Sequence, residues 1–298
     1  FLMRTCNLPS DGASLAQAVE RAFLAHGGTL HKATTALRLI RGEDGRCSSV
    51  EVENNGVRRM LHARHGVISD LGADLTSELL QDELRPDWKS SGRTVFTADV
   101  VLDRPLAWPS EGFRRSPRVY LLWDSWPDCV RWLRAAAQDR EEVFLGHIEL
   151  TQFSVLYGSG ADGSAALRVR FGTGPFVDAN WEGRRAGYEQ AVRERIKALD
   201  ADAAIRSIEL TTPGDYWRWN PAARFGNPVG GDFVEGQWLG QRLPYKTEIA
   251  GLYLSNSVWP TSLSWMAPGF NAAKVVAADL GITLPAWWSS PPLPPFPT

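Results

Sequence analysis

The sequence predicts a mixed α/β fold, and two observations carry that expectation. Residues 251–257 form an apolar, strand-like run. A turn-rich loop with Pro260 follows, then a helix opened by Ala267-Pro268-Gly269 and continued by Phe270-Asn271 through Val276. Strand-like and helix-like periodicities also alternate along the chain, and residues 181–199 give the clearest helix, with Tyr188, Val192, Ile196 and Leu199 on one stripe. A strand that feeds a helix matters chemically. The helix N-terminus carries unpaired backbone N–H groups and partial positive charge, which suits an electron-rich ligand.

The elements follow in order. Asp11-Gly12 precedes a helix with Leu15, Ala18, Val19, Ala22 and Phe23 on one face, and Gly27-Gly28 ends it. Residues 29–40 are rich in strand formers. Glu43-Asp44-Gly45-Arg46 reads as a hairpin turn. Residues 48–53 and 57–61 are paired strands around Asn54-Asn55-Gly56, and residues 66–69 are a short buried strand. Further strands are expected at residues 94–102, 119–123, 146–156, 165–171 and 205–211. Ser125 can cap a helix over residues 126–138. Gly158-Ser159-Gly160 and Gly172-Thr173-Gly174-Pro175 are turns rather than phosphate loops.

Composition narrows the function classes. A chain of 298 residues with 44% hydrophobic residues supports one large or two medium domains. The formal charge of −2 gives no basic surface for nucleic acid. No run of 18 apolar residues predicts a transmembrane helix, and Phe1-Leu2-Met3 does not begin a signal peptide. Cys6, Cys47 and Cys129 are too few and too scattered for a disulfide framework or zinc site, so a reducing, cytoplasmic setting is expected. The 13 tryptophans exceed the 6 tyrosines. They imply either an aromatic-rich core or a cavity for a large apolar or aromatic molecule.

Several stretches together resemble the phytoene desaturase-like flavoprotein family, which includes carotene isomerases and retinol saturases. They are the helix with Gly27-Gly28, the strand and hairpin after it, and Val67-Ile68-Ser69-Asp70-Leu71 in place of that family's Val-Val-Ser-Asn-Ala strand. Thr212-Pro213-Gly214-Asp215, then Gly226-Asn227 to Gly230-Gly231, and Arg242-Leu243-Pro244 match a second signature. The closing strand and helix are a third. The resemblance covers most of the chain and rests on the order of segments more than on any one motif. It implies a two-domain, Rossmann-like FAD-binding flavoprotein with a mixed-sheet substrate domain. Residues 1–75 would be part of the FAD-binding domain and 76–245 the substrate domain. Residues 246–284 would return to the FAD-binding domain, and 285–298 would be a Pro-rich tail of polyproline character.

The same resemblance implies FAD as cofactor, with Ala36 over the adenine. Ser255, Asn256, Gly269, Phe270 and Asn271 would lie near the flavin. The family's opening unit of strand, Gly-x-Gly-x-x-Gly turn and helix, which holds the pyrophosphate, does not occur here. A partner chain carrying that segment is therefore expected. The family's His-Pro-Gly-Gly-Gly loop is replaced by Trp259-Pro260-Thr261-Ser262-Leu263. Losing glycines fills space beside the flavin, so Trp259 and Trp265 are either walls of a cavity for a compact apolar or aromatic substrate or simple packing.

The implied activity is hydride removal from such a substrate to flavin, giving a C=C or C=N bond. The alternatives are a flavin-dependent double-bond isomerase and a non-catalytic ligand-binding subunit of a flavoprotein complex. His62 and His65 have HxxH spacing but no third ligand, so a solvated hairpin end is expected. Asp178, Glu182, Asp215 and Asp232 are candidate bases that nothing in the sequence places beside a flavin. The catalytic acid or base is thus left unassigned.

Overall fold

A computed structural model describes residues 12–89, 95–121, 125–137, 148–172, 181–226, 231–232, 234–256, 258 and 267–285. Among the described residues the fold is mixed α/β with three open sheets, of three, two and five strands. The chain divides into two compact units. One comprises Phe1–Lys32, Ser91–Asn220 and Phe225–Asn227, the other Ala33–Ser90, Pro221–Arg224 and Pro228–Thr298.

The first unit opens with α1 (Gly12–Ala25). Its apolar face has the expected spacing but is not covered: Val19, Phe23 and Leu24 are exposed, Phe23 by 50%. In the second unit, β1 (Thr34–Arg41), β2 (Cys47–Asn54) and β3 (Val57–His62) form an antiparallel meander. β1 starts at Thr34, later than the expected 29, because Ala33 takes a positive φ of 52°. Asn55 and Gly56 have φ of 51° and 76°, the two left-handed positions of a type I′ hairpin turn. A short parallel pair belongs to the same unit: β4 (Val67–Ser69) leads into α2 (Ala73–Leu80) and is paired with β10, a strand late in the sequence.

The remainder of the first unit is a five-stranded antiparallel sheet with a long helix. Its strands are β5 (Val95–Leu102), β6 (Arg118–Leu121), β7 (Ile148–Gln152), β8 (Ala165–Gly172) and β9 (Ile205–Thr211). Its helices are α3 (Glu111–Arg115), α4 (Trp126–Ala137), α5 (Phe153–Tyr157), α6 (Trp181–Leu199) and α7 (Pro213–Trp219). Period-two alternation sorts the sheet's faces. Phe96, Ala98, Val100, Leu150, Val169 and Phe171 cluster with Trp181, Tyr188, Val192 and Ile196 of α6. The opposite face carries Thr97, Asp99, Arg168, Arg170 and Glu149. Each fully buried aliphatic side chain in that cluster contributes about 1.5–3 kcal/mol.

Residues 153–156 were expected to extend a strand and instead belong to the one-turn helix α5 (Phe153–Tyr157), closed by Gly158 at φ 86°. Gly158 and the Gly160-to-Gly163 turn, bonded from Gly163 N–H to Gly160 O at 2.9 Å, then lead into β8.

The second unit closes with β10 (Leu252–Leu254) and α8 (Ala267–Asp279). Leu252, Tyr253 and Leu254 are all buried, as a run of consecutive apolar residues requires when both faces of a strand are covered. Two small cores hold this unit. Leu39, Cys47, Leu80 and Leu252 form one, and Tyr245, Leu254, Val258 and Ala272 the other. No helix among the described residues is long and apolar enough to cross a membrane.

Candidate functional site

The site is built where β4 and β10 end side by side. They pair in parallel, with Val67 opposite Leu252, Ile68 opposite Tyr253 and Ser69 opposite Leu254. Val67 N–H donates to Gly251 O at 2.8 Å, and Ser255 N–H donates to Ser69 O at 2.9 Å. Gly251 begins this arrangement at φ 74°. A Cβ there would stand 2.8 Å from Cys47 O, so only glycine lets the chain enter β10 so close to β2.

Polar side chains gather at the carboxyl ends of the two strands. Ser255 is buried, and its hydroxyl donates to Asp70 Oδ1 at 2.7 Å. Asn256 donates its amide to the Asp70 backbone O at 3.3 Å. Ser69 turns inward to share a 2.7 Å hydrogen bond with Thr76 of α2, which anchors that helix at the end of β4. In open α/β sheets ligands bind outside the carboxyl ends of parallel strands, and Ser255 and Asn256 stand at that position. Asp70, exposed in the same cluster, reads in the sequence only as part of the run Val67-Ile68-Ser69-Asp70-Leu71. The readable signal was a carboxylate directly after an apolar strand.

Helix α8 is fixed beside this crevice at several points. Asn271 donates to Tyr245 Oη at 3.0 Å, and Ala272 packs with Leu254 and Val258. Its first turns therefore lie near the carboxyl end of β10. At its other end Asp279 accepts from Tyr253 Oη at 2.7 Å and from Lys246 Nζ at 2.6 Å. These two donors pull the Asp279 carboxyl below its usual value, and burial first, then Asp279, push the Tyr253 phenol up. Pro268 has no N–H, so the backbone donors that the start of α8 leaves outside its own hydrogen bonding are those of Ala267 and Gly269. A Cβ on Gly269 would meet nothing within 4 Å. Phe270 is 43% exposed and has Lys274 Nζ 5.7 Å from its ring centre.

The other sequence candidates scatter. Ala36 lies on β1, in the three-stranded sheet, beside a register shift between Ala36 and Arg38. Trp259 and Trp265 lie outside the described residues, as do Asp178 and the Pro-rich tail. His62 Nδ1 shares a 2.9 Å hydrogen bond with Ser49 Oγ. Glu182 accepts from Arg185 at 3.2 Å. Asp215 is committed to capping α7, accepting the Thr212 N–H and hydroxyl at 2.9 Å each. Asp232 is buried, with its N–H on Lys89 O at 3.0 Å. Arg242 is also buried, 4.9 Å over the Trp88 ring, and burial first, then Arg85, lowers its pKa from the usual value.

No family model and no curated protein matches this chain. Among solved structures it is similar to an oxidoreductase from Methanosarcina mazei, with TM-score 0.48 and 12% identity over 82% of this chain and 48% of that one. It is also similar to a Rab GDI from Plasmodium falciparum, with TM-score 0.36 and 11% identity over 85% of this chain and 41% of that one. The chain spans less than half the length of either protein.

Proposed function

We propose that this chain is the substrate-domain portion of an FAD-dependent oxidoreductase that dehydrogenates a compact apolar or aromatic molecule. The observation that carries the proposal is the parallel pair β4 and β10. Both strands end in a polar cluster, and a helix start with open space at Gly269 lies beside it. The polar set fits a flavin. Ser255, its proton on Asp70, offers a hydroxyl oxygen as acceptor, Asn256 offers an amide, and the first turn of α8 offers backbone N–H groups to a ring carbonyl. The exposed Asp70 carboxylate does not fit a diphosphate, which needs positive or N–H donors.

When bound, FAD would supply the hydride acceptor. The chain's residues would orient the ring edge and exclude water. The Gly-x-Gly-x-x-Gly match at Gly158 to Gly163 is a turn into strand β8 and opens no helix, so the pyrophosphate would be held by a strand, glycine-rich turn and helix outside these 298 residues, on a partner chain. The sequence resemblance and the strand-end arrangement support the same reading.

Gly269→Asp tests it. The added side chain enters open space, so folding should persist, while a carboxylate against an electron-rich ring oxygen repels. Flavin content of the purified flavoprotein, read by absorbance after denaturation, should fall to near zero. A folded variant with wild-type FAD occupancy would remove Gly269 from the site.

A further inference from the structure

We propose that Asp70 and Ser255 form a pair that reads sugar-alcohol hydroxyls of the bound cofactor, with Asp70 as the acceptor that fixes the hydroxyl chain. This deepens the proposed function and rests on it. Ser255 is buried and gives its proton to Asp70 Oδ1 at 2.7 Å. That bond engages one carboxylate oxygen and orients the group. Asp70 is exposed, and among the described residues no side chain donates to Oδ2. The Asn256 amide braces the Asp70 backbone O at 3.3 Å, and Ser69 is held on Thr76 at 2.7 Å. Neighbours on both strands thus fix the direction in which Asp70 points.

An ionised carboxylate only accepts hydrogen bonds. Its matching ligand groups are hydroxyls and N–H donors, and phosphate oxygens are repelled. Vicinal hydroxyls match this geometry best, since one can donate to Oδ2 while the other contacts the Ser255 oxygen. Both the ribityl chain of a flavin and the ribose of its adenosine carry them. The shared chemistry is a polyol placed at the carboxyl ends of parallel strands.

The experiment uses the intact flavoprotein, stripped of cofactor, and measures FAD affinity by flavin fluorescence and ADP affinity by competition. Asp70→Asn keeps an acceptor for Ser255 and so keeps the fold. Asp70→Ala removes the acceptor. Loss of a hydrogen bond to a charged group predicts FAD binding weaker by about tenfold to a hundredfold in Asp70→Ala. Asp70→Asn should lose less and leave the unfolding temperature of the stripped protein unchanged. If FAD weakens and ADP does not, the ribityl chain is the ligand. If both weaken together, the ribose is. Unchanged FAD affinity in a folded Asp70→Ala protein overturns the pair while leaving the flavin proposal standing. Absence of FAD binding in the wild-type protein overturns both.

Discussion

Asp200 shows how one buried carboxylate organises a corner of the five-stranded unit. Arg104 grips it through two nitrogens at 2.7 and 3.1 Å, and Ala107 N–H donates to it at 2.8 Å. Arg104 first, then the Ala107 N–H, hold its carboxyl down at about 2, against about 3.9 for an unfolded aspartate. A carboxyl depressed in the folded state stabilises the fold above the unfolded pKa. That stability drains away as pH falls from about 4 towards about 2. Asp200→Asn should therefore be less stable near neutrality and show a flatter loss of stability over that acid range. Urea unfolding at a series of pH values checks this, and parallel acid limbs in the two proteins would contradict it. Asp70, by contrast, carries an exposed carboxylate just after a strand end, held by Ser255.

At the scale of elements, caps and buried stripes decide stability, and surface ion pairs matter little. Helix α7 starts with a capping box: Thr212 Oγ1 accepts the Asp215 N–H at 3.1 Å, and the Asp215 side chain reaches back to the Thr212 N–H. Thr212→Ala should cost about 1 kcal/mol, and Thr212→Ser should recover most of it. In α6 the buried stripe meets the sheet. Ile196→Ala empties a fully buried position and should cost about 2–5 kcal/mol. On the same helix Arg193 and Glu189 form a half-exposed i, i+4 pair at 2.7 Å, so Glu189→Gln should change stability by no more than about 0.5 kcal/mol. Chemical denaturation of the three variants under one condition ranks them, and a Glu189 effect as large as that of Ile196 would refute the ordering.

At the scale of the whole molecule, uncovered surface is the leading fact. Among the described residues sheet β10-β4 has two parallel strands, whereas parallel sheets are ordinarily wider and covered on both faces. Ile68 stays 48% exposed on β4, and α1 leaves Phe23 and Leu24 in solvent. The proposed dinucleotide-binding partner would add strands and cover apolar surface of this kind. The 298-residue chain produced alone should accordingly aggregate and hold no FAD. Production together with a polypeptide carrying Gly-x-Gly-x-x-Gly should yield a soluble flavin-bound complex. Native mass spectrometry distinguishes the outcomes, and a stable single chain with one FAD would sink the partner proposal.

Local pattern in the sequence determined most elements by itself. Residues 181–199 and 205–211 were read to the residue, and Asn55-Gly56 specified its hairpin, because periodicity and turn chemistry act over a few residues. The mixed α/β class followed from the same signals. Only the tertiary structure decided what those elements meet. Residues 153–157 carry a strand-like composition yet close into α5, since Gly158 at φ 86° ends the turn there. The apolar face of α1 was legible, but its exposure was not. An amphipathic pattern says that a face wants cover, not whether the cover is present. The crevice shows the same divide. Ser255 and Asn256 could be suspected from a strand feeding a helix. Their contact with Asp70 joins residues 185 and 186 positions apart, and no local signal encodes it. Parallel pairing needs a long connection, so its partner is chosen by the packing of the folded chain.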